Sequence, residues 1–281
     1  MKETLRHIRE VLVPRFGKGE TEAIIRLMFH HLKGWNTTDM VINSDKVLSE
    51  YTRERIDKML ERVMKGEPIQ YVTGEAYFYG MDLMVNPDVL IPRVETQELV
   101  DLIVKRYEGV ADLKVLDMGT GSGCIAIALA RNLPFASVTG IDISGRALDV
   151  ARENGRKLKA KVDWVKADVF DYVPAAESFD IIVSNPPYVM MSEQADMEAN
   201  VLEHEPWAAL FVPDNDPLRF YKAIAEIGRK ALKIEGSIWF ELNAKLAEET
   251  VKLMEGLGYQ NIKLERDIAG RWRFLEAEWR G

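Results

Sequence analysis

The sequence predicts an α/β protein: a doubly wound, mostly parallel sheet preceded by a small helical domain. Three observations carry this prediction. Residues 1–65 place their apolar side chains at helical spacing. From about residue 91, short runs of β-forming residues alternate with helical patterns. The first of those strands runs into a glycine cluster, "GTGSG", at residues 119–123.

Taken in order, Leu5, Ile8 and Val11 or Leu12 recur as on a helix, and this charged N-terminus lacks the apolar core of a signal peptide. Residues 21–33 repeat the pattern. In 52–64, Ile56, Met59, Leu60, Val63 and Met64 fall at i, i+3, i+4, i+7 and i+8. Breaks are expected at "GKGE", "GWNTTD" and "KGEP", with Thr38 or Asp39 as caps of a short helix. Residues 1–65 thus read as a helical domain. Residues 66–90 are aromatic, glycine-punctuated and partly alternating, and are expected to form a β-hairpin linker. The α/β domain spans 91–281. Its strands are expected at 114–119, 137–143, 163–168, 179–185 and 236–243, with helices between them. A helix over 244–257 and two short strands ending in "RWRFLEAEW" complete it. In such a sheet a ligand binds at the carboxyl ends of the strands.

Composition narrows the function. The 281 residues are 47% apolar and 29% charged, an ordinary globular profile, with no apolar run of 18 residues to span a membrane. The single cysteine, Cys124, excludes an internal disulfide and points to the cytoplasm. His7, His30, His31 and His204 show no metal-ligand spacing, so no metal is expected. The net charge of −8 is uneven: 13 Lys+Arg against 11 Asp+Glu in residues 1–70, and 24 against 34 in the rest. An acidic main domain weighs against a phosphate-gripping nucleic-acid surface.

Gly119, Gly121 and Gly123, with Thr120 and Ser122 between them, join the first strand to its helix. Glycines there permit positive φ and close approach of a ligand to the backbone. The helix N-terminus behind them offers free N–H groups. The spacing is G-x-G-x-G, not the G-x-G-x-x-G of dinucleotide binding. Asp142 ends the next strand 19 residues after Gly123. Alone it would be a cap or turn residue; paired with the glycine loop it is placed to accept hydrogen bonds from ribose hydroxyls. Asp168, with Val169 beside it, ends the third strand, either meeting an adenine amino group or standing as a solvated turn residue.

The fourth strand stops at "SNPPY", Ser184 to Tyr188. Pro186 and Pro187 remove two N–H donors and stiffen the corner. Asn185 offers a side-chain carbonyl and Pro186 a backbone carbonyl, an acceptor-rich pair suited to a substrate NH2 group. Tyr188 supplies a flat face for a planar group. Asn185, Pro186, Pro187 and Tyr188 are the candidate catalytic residues.

These motifs together resemble those of class I S-adenosylmethionine-dependent methyltransferases that modify planar nitrogens: adenine N6, cytosine N4 or the glutamine amide. Three flanking segments, "EPIQYVTGEAYFYGMDLMVNPDVLIPRVET" (67–96), "EHEPWAAL" (203–210) and "RDIAGRWRF" (266–274), closely resemble the PrmC/HemK family. One departure is visible: the family usually has a second proline where Val94 stands. The resemblance implies a Rossmann-like sheet with an antiparallel C-terminal strand. It implies transfer of a methyl group from S-adenosylmethionine to the N5 amide of the Gly-Gly-Gln glutamine of class I peptide chain release factors. It further implies a monomer in the cytoplasm with no direct nucleic-acid or membrane partner. Cofactor binding would fall to Gly119, Thr120, Gly121, Ser122, Gly123, Asp142, Asp168, Val169 and Asn185. Arg93, Glu95 and Thr96 would line the same cleft, and Glu241 either borders it or is a surface strand-end carboxylate. Two other readings are a nucleic-acid amino-methyltransferase (adenine N6) and a catalytically silent adenosine-binding module.

Overall fold

The computed structural model describes all 281 residues, which divide into two compact units. The first comprises Met1–Glu75, Val85–Pro87 and Glu198–His204; the second holds the remainder. No helix is long and apolar enough to cross a membrane.

In the first unit, α1 (Lys2–Lys33) carries a kink at Gly17 (φ 71°, ψ 174°), where the sequence places its "GKGE" break. Helix α2 (Thr37–Ile42) is capped by Asn36, not by Thr38 or Asp39. Asn36 accepts from the Asp39 N–H at 2.9 Å, and Asp39 accepts from the Asn36 N–H at 3.0 Å. Asp39 therefore holds the reciprocal third position of a capping box, leaving the cap itself to Asn36. Helices α3 (Glu50–Met64) and α4 (Ile69–Thr73) complete the bundle. Its core is formed by Ile8, Leu12, Ile25, Met28, Phe29 and Ile56, all fully buried.

Strand pairing within 66–90 is narrower than the sequence suggests, because Pro68 starts α4 and Gly74, left-handed at φ 74°, ends it. Only β1 (Glu75–Phe78) and β2 (Met81–Met84) pair. They turn through Tyr79 and Gly80, both at positive φ (46° and 75°), the geometry that suits a two-residue hairpin loop.

The chain then runs through α5 (Val94–Arg106), β3 (Lys114–Met118), α6 (Cys124–Asn132), β4 (Ser137–Asp142), α7 (Gly145–Lys157), β5 (Val162–Lys166) and β6 (Phe179–Ser184). A small pair follows, β7 (Val189–Met190) with β8 (Phe211–Val212); between them α8 (Ala199–His204) belongs to the first unit. Then come α9 (Arg219–Ala231), β9 (Leu232–Glu241), α10 (Ala247–Gly256), β10 (Gln260–Arg266) and β11 (Trp272–Glu278). Helix α5 falls in a stretch where no helix is foreseen from the sequence; its short apolar stripe is Leu99, Val100 and Ile103.

The seven-stranded sheet has the order β10-β11-β9-β6-β3-β4-β5. Neighbours pair in parallel except around β11, which is antiparallel to both β9 and β10. Both faces are covered, which is why the central strands carry adjacent buried apolar residues such as Ile181-Ile182-Val183 and Ile238-Trp239-Phe240. Val115, Ile181, Val183, Trp239 and Phe274 pack with α5 and α6. Leu116, Ile182, Ile238, Phe240 and Leu275 pack with α9 and α10. The chain winds outward from β3 to β5, then returns to β6 on the other side of β3. This reversal opens a crevice at the carboxyl ends of β3 and β6, the usual ligand position in open α/β sheets.

Candidate active site

The glycine loop leaves β3 with Gly119, Gly121 and Gly123 all at positive φ (78°, 54° and 81°). Their surroundings differ. A Cβ at Gly119 or Gly121 would meet nothing within 4 Å, whereas one at Gly123 would lie 2.8 Å from the Trp164 ring. A Cβ at Gly140 would lie 2.7 Å from the same ring and one at Gly155 3.4 Å from it, so the indole on β5 fills a slot floored by three glycines. The loop backbone is held from below: the Gly119 and Thr120 N–H groups donate to the Ile141 carbonyl at 3.0 and 2.9 Å. Ser122 is fixed through its carbonyl, which accepts from Asn154 Nδ2 at 2.9 Å.

Asp142 stands against this loop. Its Oδ2 accepts from the Gly121 N–H at 2.9 Å and its Oδ1 from the Ser144 N–H at 2.8 Å. Burial raises its pKa, and the two N–H donors oppose that rise. Asp168 lies after β5, where its Oδ1 accepts from the Phe170 N–H at 2.9 Å and shapes the turn. Val169 beside it packs against the cluster that includes α9.

Beneath the loop lies Asp117 of β3, a residue the motif reading did not single out. It is fully buried. Its Oδ2 accepts from Thr120 Oγ1 at 2.6 Å and from the Ala126 N–H at 3.1 Å, while its Oδ1 has no partner. Burial pushes the carboxyl up to about 7, against the pull of those two donors. A folded-state value above the unfolded one means that the native protein holds the extra proton. This contribution to stability is complete below the ordinary value of 3.8 and is lost as pH rises through about 7. Over the whole range it amounts to about 4 kcal/mol at most. The stability advantage of wild type over Asp117→Asn is therefore expected to shrink between pH 5 and pH 8 in urea titrations; an advantage constant with pH would contradict it.

The second half of the site is the corner after β6. Ser184 Oγ donates to the Met118 carbonyl at 2.5 Å, tying the corner to the loop strand. Asn185 Nδ2 donates to Thr96 Oγ1 at 3.1 Å. Thr96 Oγ1 in turn donates to Glu241 Oε2 at 2.6 Å, and Tyr188 OH donates to Glu241 Oε1 at 2.9 Å. Thr96 and Glu241 are buried, at 2% and 1% exposure, which settles the choice left open by the sequence: Glu241 is no surface carboxylate. Burial raises its pKa; the Thr96 and Tyr188 hydroxyls and Arg273 act the other way. Burial, then the charge of Glu241, holds the Tyr188 hydroxyl well above its ordinary pKa, so it stays a donor. Pro186 is buried, and no backbone N–H of the chain donates to its carbonyl.

Of the three residues at the start of α5 implied by resemblance, Arg93, Glu95 and Thr96, only Thr96 reaches Asn185. Arg93 pairs with buried Glu205 at 2.6 Å, and Glu95 with Arg271 at 3.1 Å. Glu205 also accepts from the Ile91 N–H at 3.2 Å, so it pins the loop that leads into α5.

A ligand bearing an adenosine and a cationic group fits these residues. The open faces of Gly119 and Gly121 leave room for it, Asp142 provides acceptors beside the loop, and Asp117 Oδ1 is an unpaired buried acceptor.

Comparison with known proteins gives the family. The methyltransferase small domain model matches residues 95–207, and the PrmC N-terminal domain model matches residues 3–74. The release factor glutamine methyltransferase of Bacteroides thetaiotaomicron is 44% identical over 279 residues, covering 99% of each chain. The chain belongs to the release factor glutamine methyltransferase family. The family's member from Flavobacterium psychrophilum is 40% identical, with 96% of both chains covered. Among solved structures, a methyltransferase from Pyrococcus furiosus aligns with a TM-score of 0.53 at 19% identity, over 80% of this chain and all of that one. At that identity the likeness shows the fold, a class I S-adenosylmethionine-dependent methyltransferase sheet. The methyl donor of the family is S-adenosylmethionine.

Proposed function

We propose that this chain methylates the side-chain amide nitrogen (N5) of the glutamine in the Gly-Gly-Gln motif of class I peptide chain release factors. The observation that carries this reading is the orientation of Asn185. Its NH2 is engaged by Thr96, so its carbonyl oxygen is turned away from Thr96 and left to accept.

When bound, S-adenosylmethionine supplies an electrophilic methyl group on a sulfonium. Gly119, Thr120, Gly121, Ser122 and Gly123 would hold it on the loop, with Asp142 on the ribose and Asp168 and Val169 at the adenine. The chain's remaining work concerns the glutamine. An amide nitrogen is a weak nucleophile because its lone pair is delocalised into the carbonyl. Asn185 Oδ1 and the Pro186 carbonyl each accept one N–H of the substrate NH2. This fixes the direction of the nitrogen and stabilises the positive charge it gains. Orientation alone is worth on the order of 7–11 kcal/mol in well-aligned systems. Tyr188, anchored by its hydroxyl, presents its ring to the amide plane, and Pro187 keeps the corner rigid. The proton leaves to water after transfer. We further take the helical segment 1–65 to recognise the release factor, and the enzyme to act as a monomer in the cytoplasm.

The test uses methyl-labelled S-adenosylmethionine with the release factor, its Gly-Gly-Gln glutamine→Ala variant, or DNA carrying adenine. Label on the wild-type factor alone is expected. Label on DNA would favour an adenine N6 methyltransferase, and label on neither substrate a silent adenosine-binding module.

A further inference from the structure

We propose that Thr96 and Glu241 are positioning residues that set which face of the Asn185 amide meets the substrate. The inference rests on the glutamine-methylating reading and deepens it.

An asparagine side chain is nearly symmetric in shape and opposite in chemistry: turned by 180°, it offers two donors where it offered an acceptor. For a substrate NH2, which only donates, the wrong orientation sets donor against donor. Neither Pro186 nor Pro187 has an N–H to correct it. Something else must distinguish the two faces of Asn185, and the hydrogen bonds around it do so.

The order of the hydrogen bonds is set at Glu241. An ionised carboxylate only accepts. It takes the Thr96 proton on Oε2 at 2.6 Å and the Tyr188 proton on Oε1 at 2.9 Å. Thr96 has one hydroxyl proton, and Glu241 has it. What Thr96 Oγ1 has left for Asn185 is an acceptor lone pair, and only the NH2 end of Asn185 can use it, at 3.1 Å. The Asn185 carbonyl oxygen is thereby turned away from Thr96. The same carboxyl group holds the Tyr188 hydroxyl, so one buried residue orients both functional side chains of the corner. The scaffold of the relay is rigid. Thr96 is in the first turns of α5, Glu241 is the last residue of β9, and the Glu241 carbonyl accepts from Tyr221 OH at 3.2 Å.

Kinetics of Thr96→Val, Thr96→Ser and Glu241→Gln on the release factor, alone and combined with Asn185→Ala, test this. Thermal melting and S-adenosylmethionine affinity are measured alongside. Thr96→Val removes the oxygen and keeps the shape. Glu241→Gln replaces one of the two acceptor oxygens with an NH2 donor, so Thr96 and Tyr188 can no longer both donate to this side chain. Both are expected to lower kcat by about tenfold or more, in the range of a lost transition-state contact. KM and cofactor affinity should change little; the melting temperature of Thr96→Val falls in either case, because the buried Glu241 Oε2 loses its donor. Thr96→Ser, which keeps the hydroxyl, is expected to stay within about threefold of wild-type kcat. In the Asn185→Ala background, Thr96→Val should cause no further loss, because Thr96 acts through Asn185. A purely structural Thr96 would give multiplicative losses in kcat. That result, or wild-type kcat in Thr96→Val, would overturn the relay while leaving the role of Asn185 intact. Unchanged kcat in Asn185→Ala alone would overturn both.

Discussion

Asn185→Ala is expected to lower kcat on the release factor by about 10²- to 10³-fold, the scale seen when one preorganised charge-stabilising contact is removed. The reason is the division of labour at the corner. The substrate nitrogen has two N–H bonds and two acceptors to meet them, and the substitution leaves only the Pro186 carbonyl. The nitrogen can then rotate, and the charge it gains is stabilised from one side. Cofactor affinity should change far less, because the loop from Gly119 to Gly123 and its tie to Asp142 are untouched. Asn185→Asp is expected to lose nearly as much. An aspartate oxygen cannot donate to Thr96, and a thriving bond there would require Thr96 to withdraw its proton from Glu241. Steady-state kinetics with separate cofactor titration measures both; a variant with wild-type kcat would remove Asn185 from the chemistry.

Gly123→Ala is expected to cost about 2–5 kcal/mol of stability. The residue sits at φ 81°, where an L side chain is disfavoured by about 1–2 kcal/mol. Its new Cβ would also lie 2.8 Å from Trp164 and 3.2 Å from the Ala151 and Ile127 side chains. Overpacking of that kind adds about 1–3 kcal/mol. The indole has little room to retreat, because Gly140 and Gly155 floor the rest of its slot. Gly121→Ala provides the contrast. It bears backbone strain at φ 54° but meets nothing within 4 Å, so its main effect should fall on cofactor affinity through loss of close approach. Urea unfolding and cofactor titration of the two variants separate these effects. Equal stability losses at Gly121 and Gly123 would show that the Trp164 slot is unimportant.

The features legible in the sequence were those encoded by neighbours along the chain. The βα alternation, the glycine loop, Asp142 at the end of β4 and the proline corner after β6 each occupy a short stretch with its own steric or hydrogen-bonding logic. The features that were not legible depend on distant residues. Thr96 and Glu241 are 145 positions apart, and no spacing rule joins them. Only the stacking of α5 against the end of β9 brings them together. Trp164 reads as one aromatic in a short strand; that it lies on three glycines from three different segments emerges only in the folded chain. Helix α5 is hard to read because the neighbouring apolar Leu102 and Val104 blur the helical spacing of Leu99, Val100 and Ile103. Asn36 and Asp39 both carry capping side chains, and only the folded chain shows that Asn36 is the cap and Asp39 its reciprocal partner.

A crystal structure of the enzyme with S-adenosylhomocysteine and a peptide containing the Gly-Gly-Gln sequence tests the central claim most directly. The glutamine nitrogen is expected about 3 Å from both Asn185 Oδ1 and the Pro186 carbonyl oxygen, with Asn185 Nδ2 still on Thr96. A glutamine bound elsewhere, or one facing the NH2 end of Asn185, would contradict the account.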